Sequence, residues 1–175
     1  MIFVDSRSEK NILTLHPYVQ DRARTFLVEA NHLLKTEELG LVVKIISGTR
    51  TYEEQDKLFN HRTKSGARVT KARGGYSNHN FGVAFDVGLF RGRYYFEEHK
   101  LYRALGPVGE ALGLDWGGRW KSFRDDPHFQ LRPAWAKGIT ERSMLAEFRK
   151  RRARGMDLFL HENIYNDVSA LLGLV

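Results

Sequence analysis

The central segment of the chain reads YSNHNFGVAFDVG, residues 76–88. Its second half is rich in apolar, β-branched and aromatic residues, which predicts a buried strand over 81–90. Its first half is a polar turn into that strand and contains Gly82. His79 and Asp86 flank the turn, so one short segment offers an imidazole and a carboxylate together.

A second motif, RDDPHF at residues 124–129, offers another imidazole. We expect His128 to open a further strand over 128–131. Two imidazoles and one carboxylate on adjacent strands leave the fourth tetrahedral position for water, as a catalytic zinc site requires. Because the chain has no Cys, a zinc site must use His and carboxylate ligands. His79, Asp86 and His128 are therefore the candidate ligands of a Zn²⁺ ion.

The same motif offers a general base. Amide hydrolysis needs a group that takes a proton from water and returns it to the leaving amine, and Asp125 or Asp126 can do this. We favour Asp125, because a residue three positions before a ligand in a turn can face the water without displacing it. Arg50, just after a predicted strand, is the candidate cation for the developing oxyanion. Taken singly, these residues also have ordinary structural roles: Asp86 can cap a turn, and Arg50 can form a surface ion pair.

Periodicity and turn residues predict the remaining elements around these motifs. The predicted helices span 16–39, 51–64 and 98–112, and the predicted strands span 41–47, 81–90, 94–96 and 128–131. Residues 65–77 contain three glycines among Lys and Arg and predict a long loop. Because strands and helices do not alternate regularly, we expect an α+β fold with a small antiparallel sheet flanked by helices.

Charge patterning suggests how the chain is organised into domains. We expect a catalytic domain over 1–138 and a basic, helical extension over 139–175, packed on the same domain and broken at Gly155. Residues 141–155 hold six basic and two acidic residues. A solvated helix face explains the basic run over 149–154, and contact of this run with an anionic envelope surface is the alternative.

Composition narrows the class of protein. The chain has 175 residues and a net charge of +7, which fits one monomeric domain with an anionic partner. We find no apolar run long enough for a transmembrane segment and no base-reading motif, so we expect neither membrane insertion nor nucleic-acid binding. The amino terminus, MIFVDSRSEK, lacks the pattern of a signal peptide, so we expect no Sec-type export.

Four segments in this order resemble the LAS-type zinc peptidases: SGTRTYEEQ, SNHNFGVAFDVG, WGGRW and DDPHF. That family includes D-alanyl-D-alanine carboxypeptidases and dipeptidases and the L-alanyl-D-glutamate endopeptidases of phage lysins. Its signature is S-x-H-x-x-G-x-A-x-D, followed later by D/E-x-x-H. The residues that match it here are Ser77, His79, Gly82, Ala84, Asp86, Asp125 and His128. The resemblance covers roughly residues 6–132, and every signature position is filled.

The resemblance implies a hedgehog or D,D-peptidase type of fold, a zinc ion on the His-Asp-His set, and Asp125 as base. It makes Arg50 the residue that binds the scissile carbonyl or a nearby substrate carboxylate. Ser77 would orient the loop beneath the metal, and Gln55 matches the family's residue on the helix after Arg50, in a supporting or packing role. Two aromatic residues of WGGRW would line or support the substrate cleft, Trp116 and Trp120.

The WGGRW motif, with Asp as the base, is more similar to the L-alanyl-D-glutamate endopeptidase branch. We therefore expect hydrolysis of the peptidoglycan peptide stem at that bond, as in endolysin-type lysis. Such an enzyme would act in the periplasm or cell wall after holin-type release or dedicated secretion. Two alternatives stay open: a D-alanyl-D-alanine carboxypeptidase, because specificity comes from the pocket walls, and a non-catalytic, zinc-containing wall-binding module. The intact Asp125 and Arg50 argue against the second.

Overall fold

The computed structural model describes residues 4–37, 40–64 and 66–160. Its helices are α1 (Ser6–Ile12), α2 (Pro17–Thr36), α3 (Tyr52–Asn60), α4 (His99–Ala111) and α5 (Glu141–Ala153). Its strands are β1 (Val42–Ser47), β2 (Ala84–Arg91), β3 (Tyr94–Phe96), β4 (Asp115–Trp116) and β5 (His128–Gln130). This confirms the predicted α+β class with a small antiparallel sheet. None of the described helices is both long and apolar enough to cross a bilayer.

The sheet has the order β1-β2-β5-β4, and β3 pairs with the other end of β2. All of these pairings are antiparallel. Strand β2 is central because β1 pairs with one of its edges and β5 and β3 pair with the other, and nearly all of its side chains are buried. Asp86 is the one partly exposed residue in its first half, and it pairs with Ser47 of β1 and with His128 of β5. The sheet register therefore brings Asp86 and His128 side by side.

Aromatic packing fixes β5 against α2 and α4. The ring of Phe129 lies 4.5 Å from Phe26 of α2 and 5.8 Å from Phe85 of β2, measured between centroids. Gly109 of α4 lies so close that an added Cβ would be 2.5 Å from the Phe129 ring. All three Phe side chains are fully buried, and each contributes about 2–3 kcal/mol of hydrophobic stabilisation. This packing anchors the residue that follows His128.

Several predicted boundaries were wrong for identifiable reasons. Helix α3 ends at Asn60 rather than near residue 64, because His61 adopts an extended backbone conformation. Strand β2 begins at Ala84 rather than Phe81, because residues 78–81 form a single-turn helix that ends at Gly82 with φ +69°. The sequence interpretation also missed α1 and the two-residue strand β4.

The described residues divide into two compact units, with the boundary between residues 131 and 132. In the second unit, the Trp135 indole donates a hydrogen bond to the Leu158 carbonyl (2.8 Å) and packs edge-on against Phe148. Arg151 of α5 is buried, pairs with Glu147 at 3.0 Å and stacks on Trp135. At least one cation of the basic run is therefore structural.

Part of the domain prediction lies beyond what the structure describes. Helix α5 ends at Ala153, close to the break expected at Gly155, which has φ +66°. The second helical piece, expected around residues 164–172, falls outside the described residues. The domain boundary at residue 138 and the packing of the extension stay predictions.

Candidate metal centre

Three potential metal ligands converge at one end of the sheet. His79 lies on the single-turn helix before β2, Asp86 on β2 and His128 at the start of β5. His79 Nε2 lies 3.1 Å from Asp86 Oδ1, and His128 Nδ1 lies 3.0 Å from the same oxygen. The two imidazole nitrogens are 3.2 Å apart. One carboxylate oxygen and two ring nitrogens thus form a nearly equilateral triangle.

The size of this triangle matches tetrahedral zinc. Ligand bonds of about 2.0–2.1 Å at tetrahedral angles place neighbouring ligand atoms about 3.3 Å apart. The three observed separations are 3.0–3.2 Å, close to that value. Asp86 keeps 19% of its side chain exposed, whereas the two imidazoles are buried. Part of the Asp86 side chain is therefore accessible to solvent, which suits a catalytic site better than a closed structural one.

The far side of each imidazole is held by a polar partner. His79 Nδ1 lies 2.8 Å from the Gly48 carbonyl oxygen, and this acceptor requires the proton on Nδ1. His128 Nε2 lies 3.0 Å from Gln130 Oε1, which also accepts a hydrogen bond from Asn78 Nδ2 at 2.6 Å. Both assignments leave the nitrogen that faces Asp86 with a lone pair available for a metal.

The electrostatics of the cluster favour a cation. Burial alone would raise the pKa of Asp86, but His79 and His128 outweigh it and hold the pKa well below its usual range. Burial lowers the pKa of His79 and so favours its neutral, metal-binding form. Burial would also lower the pKa of His128, but the hydrogen bond and charge of Asp86 raise it. The ionised carboxylate draws positive charge towards the triangle.

Arg50 lies on the other face of Asp86. Its Nη2 donates to Asp86 Oδ2 at 2.7 Å, its Nη1 to Gln55 Oε1 at 3.0 Å and its Nε to Ser47 Oγ at 3.2 Å. These three bonds use three of the five N–H groups of a guanidinium. The other two have no acceptor among residues 4–37, 40–64 and 66–160. Arg50 is thus fixed in place and retains donor capacity.

Gln55 and Asn80 fix the position of Arg50: Gln55 bonds to its guanidinium and Asn80 to its backbone carbonyl. Gln55 is fully buried on α3 and donates through Nε2 to the Ala72 carbonyl at 2.9 Å. Asn80, also buried, donates to the carbonyls of Arg50 (3.0 Å) and Thr51 (3.2 Å). The sequence interpretation missed Asn80. The feature that could have identified Asn80 is a polar side chain inside a segment predicted to be buried, because such a group needs hydrogen-bonding partners.

The two aspartates of RDDPHF have different environments. Asp126 is buried, with Arg124 Nε 2.6 Å from its carboxylate and His99 Nδ1 3.4 Å away. The Asp125 carboxylate is partly exposed and has no hydrogen-bonding partner among the described residues. Burial raises its pKa, and the Asp86 charge adds to the rise. Asp125 therefore has the properties expected of a base, and Asp126 those of an anchor.

The WGGRW segment supports the turn that carries Asp125. An added Cβ at Gly117 would lie 2.5 Å from the Asp125 carbonyl oxygen and 3.0 Å from His128 Cβ. Trp116 is buried and donates through Nε1 to the Asp126 carbonyl at 2.8 Å, so it supports the turn. Trp120 is partly exposed, and its ring centroid lies 4.9 Å from that of His128. Of the two tryptophans, only Trp120 is positioned to border a cleft.

Ser77 lies at the start of the turn that carries His79. Its N–H faces Asn80 Oδ1 at 3.3 Å, and its carbonyl accepts the Asn80 N–H at 3.0 Å. These contacts are consistent with its expected role in orienting this loop. Of the supporting candidates in the first unit, Arg50, Asp125 and Trp120 thus contact a residue of the His-Asp-His triangle directly. Gln55, Trp116 and Ser77 contact the residues around it.

Comparisons with known proteins agree on one family. A family model described as D-alanyl-D-alanine carboxypeptidase matches residues 70–131, which contain the triangle and Asp125. The chain is 35% identical over 130 residues to the peptidoglycan L-alanyl-D-glutamate endopeptidase CwlK of Bacillus subtilis, covering 68% of this chain and 74% of that protein. It is 31% identical over 132 residues to the L-alanyl-D-glutamate peptidase of Listeria phage A118, covering 72% of this chain and 41% of the phage protein.

A solved structure agrees with these sequence relatives. The fold is similar to that of the L-Ala D-Glu endopeptidase ChiX of Serratia marcescens, with a TM-score of 0.52 and 25% identity. That match covers 73% of this chain and 87% of the other.

Proposed function

The chain belongs to the LAS-type zinc peptidases, and on that premise we propose that it hydrolyses the peptide stem of bacterial peptidoglycan at the L-alanyl-D-glutamate bond. The observation that carries this proposal is the triangle of His79, Asp86 and His128 with a free carboxylate, Asp125, beside it. The choice of bond rests on the relatives at 31% and 35% identity, which are both named for it.

We infer that the ion is Zn²⁺. Two neutral imidazoles and one carboxylate are a donor set that zinc accepts, and the 3.0–3.2 Å separations fit its tetrahedral geometry. Gly48 and Gln130 hold the far sides of the two rings, as partners of metal-binding His residues commonly do. When bound, zinc supplies a Lewis acid that polarises the scissile carbonyl and lowers the pKa of water.

Asp125 acts as the general base and then as the general acid. Its carboxylate takes a proton from the attacking water as the carbon–oxygen bond forms at the scissile carbonyl. It gives that proton to the amine nitrogen as the carbon–nitrogen bond breaks. Its raised pKa and its lack of hydrogen-bonding partners among the described residues suit both transfers.

Arg50 binds an oxygen of the substrate, either the scissile carbonyl or a nearby carboxylate. Its two remaining N–H groups are the donors for this contact. Its bonds to Ser47, Gln55 and Asp86 fix the orientation of the guanidinium before substrate binds. A donor that is already oriented stabilises developing negative charge without reorganising during the reaction. Trp120, beside His128, borders the same cleft.

The place of action follows from the substrate. We propose that the enzyme acts in the periplasm or cell wall, after holin-type release or dedicated secretion. Contact between the basic residues of α5 and an anionic envelope surface belongs to the same proposal.

A D-alanyl-D-alanine carboxypeptidase is the second candidate, since the family model that matches residues 70–131 carries that description. The same metal site serves both reactions, because the pocket walls select the bond. A non-catalytic wall-binding module is disfavoured by the arrangement of Asp125 and Arg50 around the triangle.

Product analysis on a defined muropeptide tests the proposal. The purified chain, stripped of metal and reloaded with zinc, is incubated with a muropeptide that ends in D-alanyl-D-alanine, and the products are identified by mass spectrometry. We expect a fragment that begins with D-glutamate. Release of D-alanine alone would favour the carboxypeptidase, and an intact substrate would contradict both candidates.

A further inference from the structure

Lys71 lies beside two parts of the candidate site: the Arg50 wall, formed by Ser47, Arg50 and Gln55, and the Asp125 wall, formed by residues 116–128. Residues 57–85 contain six Lys and Arg residues and no Asp or Glu. Two of these cations, Arg68 and Arg73, lie over the ring of Phe59, with Cζ 4.7 and 5.0 Å from its centroid. Lys71 instead places its Nζ 4.9 Å from the centroid of Phe123. Phe123 belongs to a different segment, two residues before Asp125.

The backbone next to Lys71 is hydrogen-bonded to the Arg50 wall. The carbonyl of Ala72 accepts a hydrogen bond from Gln55, and Gln55 in turn accepts one from Arg50. The Lys71 ammonium rests on the wall that carries Asp125. The segment of Lys71 therefore contacts the residue that supports Arg50, and the Lys71 ammonium contacts the segment that carries the proposed base.

The charge of Lys71 is uncompensated within the part of the chain that the structure describes. No carboxylate there forms an ion pair with its ammonium, and its side chain is exposed. A cation on the face of an exposed Phe ring makes a weak contact. A charge-assisted hydrogen bond to a carboxylate is stronger, so a bound anionic group would draw the ammonium off the ring.

We propose that Lys71 is a specificity-determining residue that binds the free carboxylate of the D-glutamate residue in the stem peptide, while Arg50 binds the scissile carbonyl. The proposal rests on the proposed function. D-Glutamate that is linked through its amine and its γ-carboxyl group keeps its α-carboxylate, one carbon from the scissile nitrogen. The enzyme then prefers stems with this free acid over stems in which it is an amide.

Two synthetic stem peptides that differ only at this group test the proposal. One carries the free α-carboxylate of D-glutamate and the other its α-carboxamide. For the parent enzyme we expect kcat/KM to be about tenfold higher on the acid, the size of one hydrogen bond to a charged group. Lys71→Met keeps the chain length and removes the charge. It should reduce the preference to about twofold by raising KM for the acid, while kcat changes little.

Two further variants separate recognition from general effects. Lys71→Arg restores a cation and should recover most of the preference for the acid. Lys64→Met removes one positive charge from the same basic segment, at an exposed position, and should leave the preference unchanged. Melting temperatures of all variants check that each is folded.

The outcomes distinguish this proposal from the proposed function. If the parent cuts both peptides at the L-alanyl-D-glutamate bond with equal kcat/KM, the function stands and the role of Lys71 is wrong. The role is also wrong if Lys71→Met keeps the full preference, or if Lys64→Met loses it equally. If the parent cuts neither peptide, the proposed function fails and the role of Lys71 fails with it.

Discussion

The two walls of the candidate active site are built in opposite ways. On one wall, the Arg50 guanidinium is held by Ser47, Gln55 and Asp86, and only 18% of its side chain is exposed. On the other wall, the Asp125 carboxylate has no hydrogen-bonding partner among the described residues. One charged group is fixed in position, and the other is free to react.

The difference fits the two roles proposed for Arg50 and Asp125. A group that stabilises charge performs best when its position is set before the reaction, because no reorganisation is then needed. A base must gain and lose a proton, and hydrogen bonds to its ionised form would lower its pKa and its basicity. Burial and the Asp86 charge instead raise the pKa of Asp125. The fold thus fixes Arg50 and leaves Asp125 available.

Replacing the free carboxylate should have the largest effect. Asp125→Asn keeps the size of the side chain but cannot take a proton from water, so we expect kcat to fall by about 10³-fold. Zinc content and melting temperature should change little. Steady-state kinetics on the muropeptide measure the effect, and retained hydrolysis would show that Asp125 is not the base.

Moving the turn that carries Asp125, without changing the Asp125 carboxylate, should have the next largest effect on kcat. In Gly117→Ala, the new Cβ would lie 2.5 Å from the Asp125 carbonyl oxygen, so the turn must move. We expect kcat to fall by about 10²-fold, as for other small misplacements of catalytic groups.

A second glycine provides the control for this variant. Gly113 has φ +75° and no atom within 4 Å of an added Cβ. Gly113→Ala should therefore cost about 1–2 kcal/mol of stability and leave kcat unchanged. Equal kcat values for the two variants would contradict the role of Gly117.

Removing a hydrogen bond that orients Arg50 should have a smaller effect on kcat/KM. Gln55→Met removes the acceptor for Arg50 and the donor to Ala72, so we expect kcat/KM to fall by about tenfold. Gln55→Glu keeps an acceptor for Arg50 and should recover part of the loss. If Gln55→Met melts at a lower temperature but has parental kinetics, Gln55 is only a packing residue.

A substitution at the neighbouring Asp126 should have the smallest effect on kcat. Asp126→Asn removes the charge that pairs with Arg124 but keeps the volume of a buried side chain. We expect the free energy of unfolding to fall by about 2 kcal/mol, and kcat to fall by less than about tenfold. Chemical denaturation and kinetics measure the two quantities. A larger loss of kcat than in Asp125→Asn would reverse the assignment of the two aspartates.

The candidate metal ligands could be identified from sequence because their chemistry is local. His79 and Asp86 lie seven positions apart on one turn and strand, and His128 opens a strand that is recognisable from its own motif. The run of apolar, β-branched and aromatic residues over 81–90 also predicted β2, although it placed the start of the strand three residues too early. Comparisons confirm the family that these motifs indicated.

Other features depend on contacts that sequence patterns do not show. Asp125 and Asp126 are adjacent and chemically identical, and only the fold buries one against Arg124 and leaves the other free. Asn80 acts through carbonyls about 30 positions earlier in the chain. The short strand β4 has too few residues to form a recognisable pattern, and its pairing with β5 defines it.

The central claim is that His79, Asp86 and His128 share one zinc ion. Anomalous diffraction at the zinc edge, on crystals of the zinc-loaded protein, tests it most directly. We expect one peak about 2.0–2.2 Å from His79 Nε2, Asp86 Oδ1 and His128 Nδ1. A peak elsewhere, or none with the three side chains turned apart, would contradict the claim.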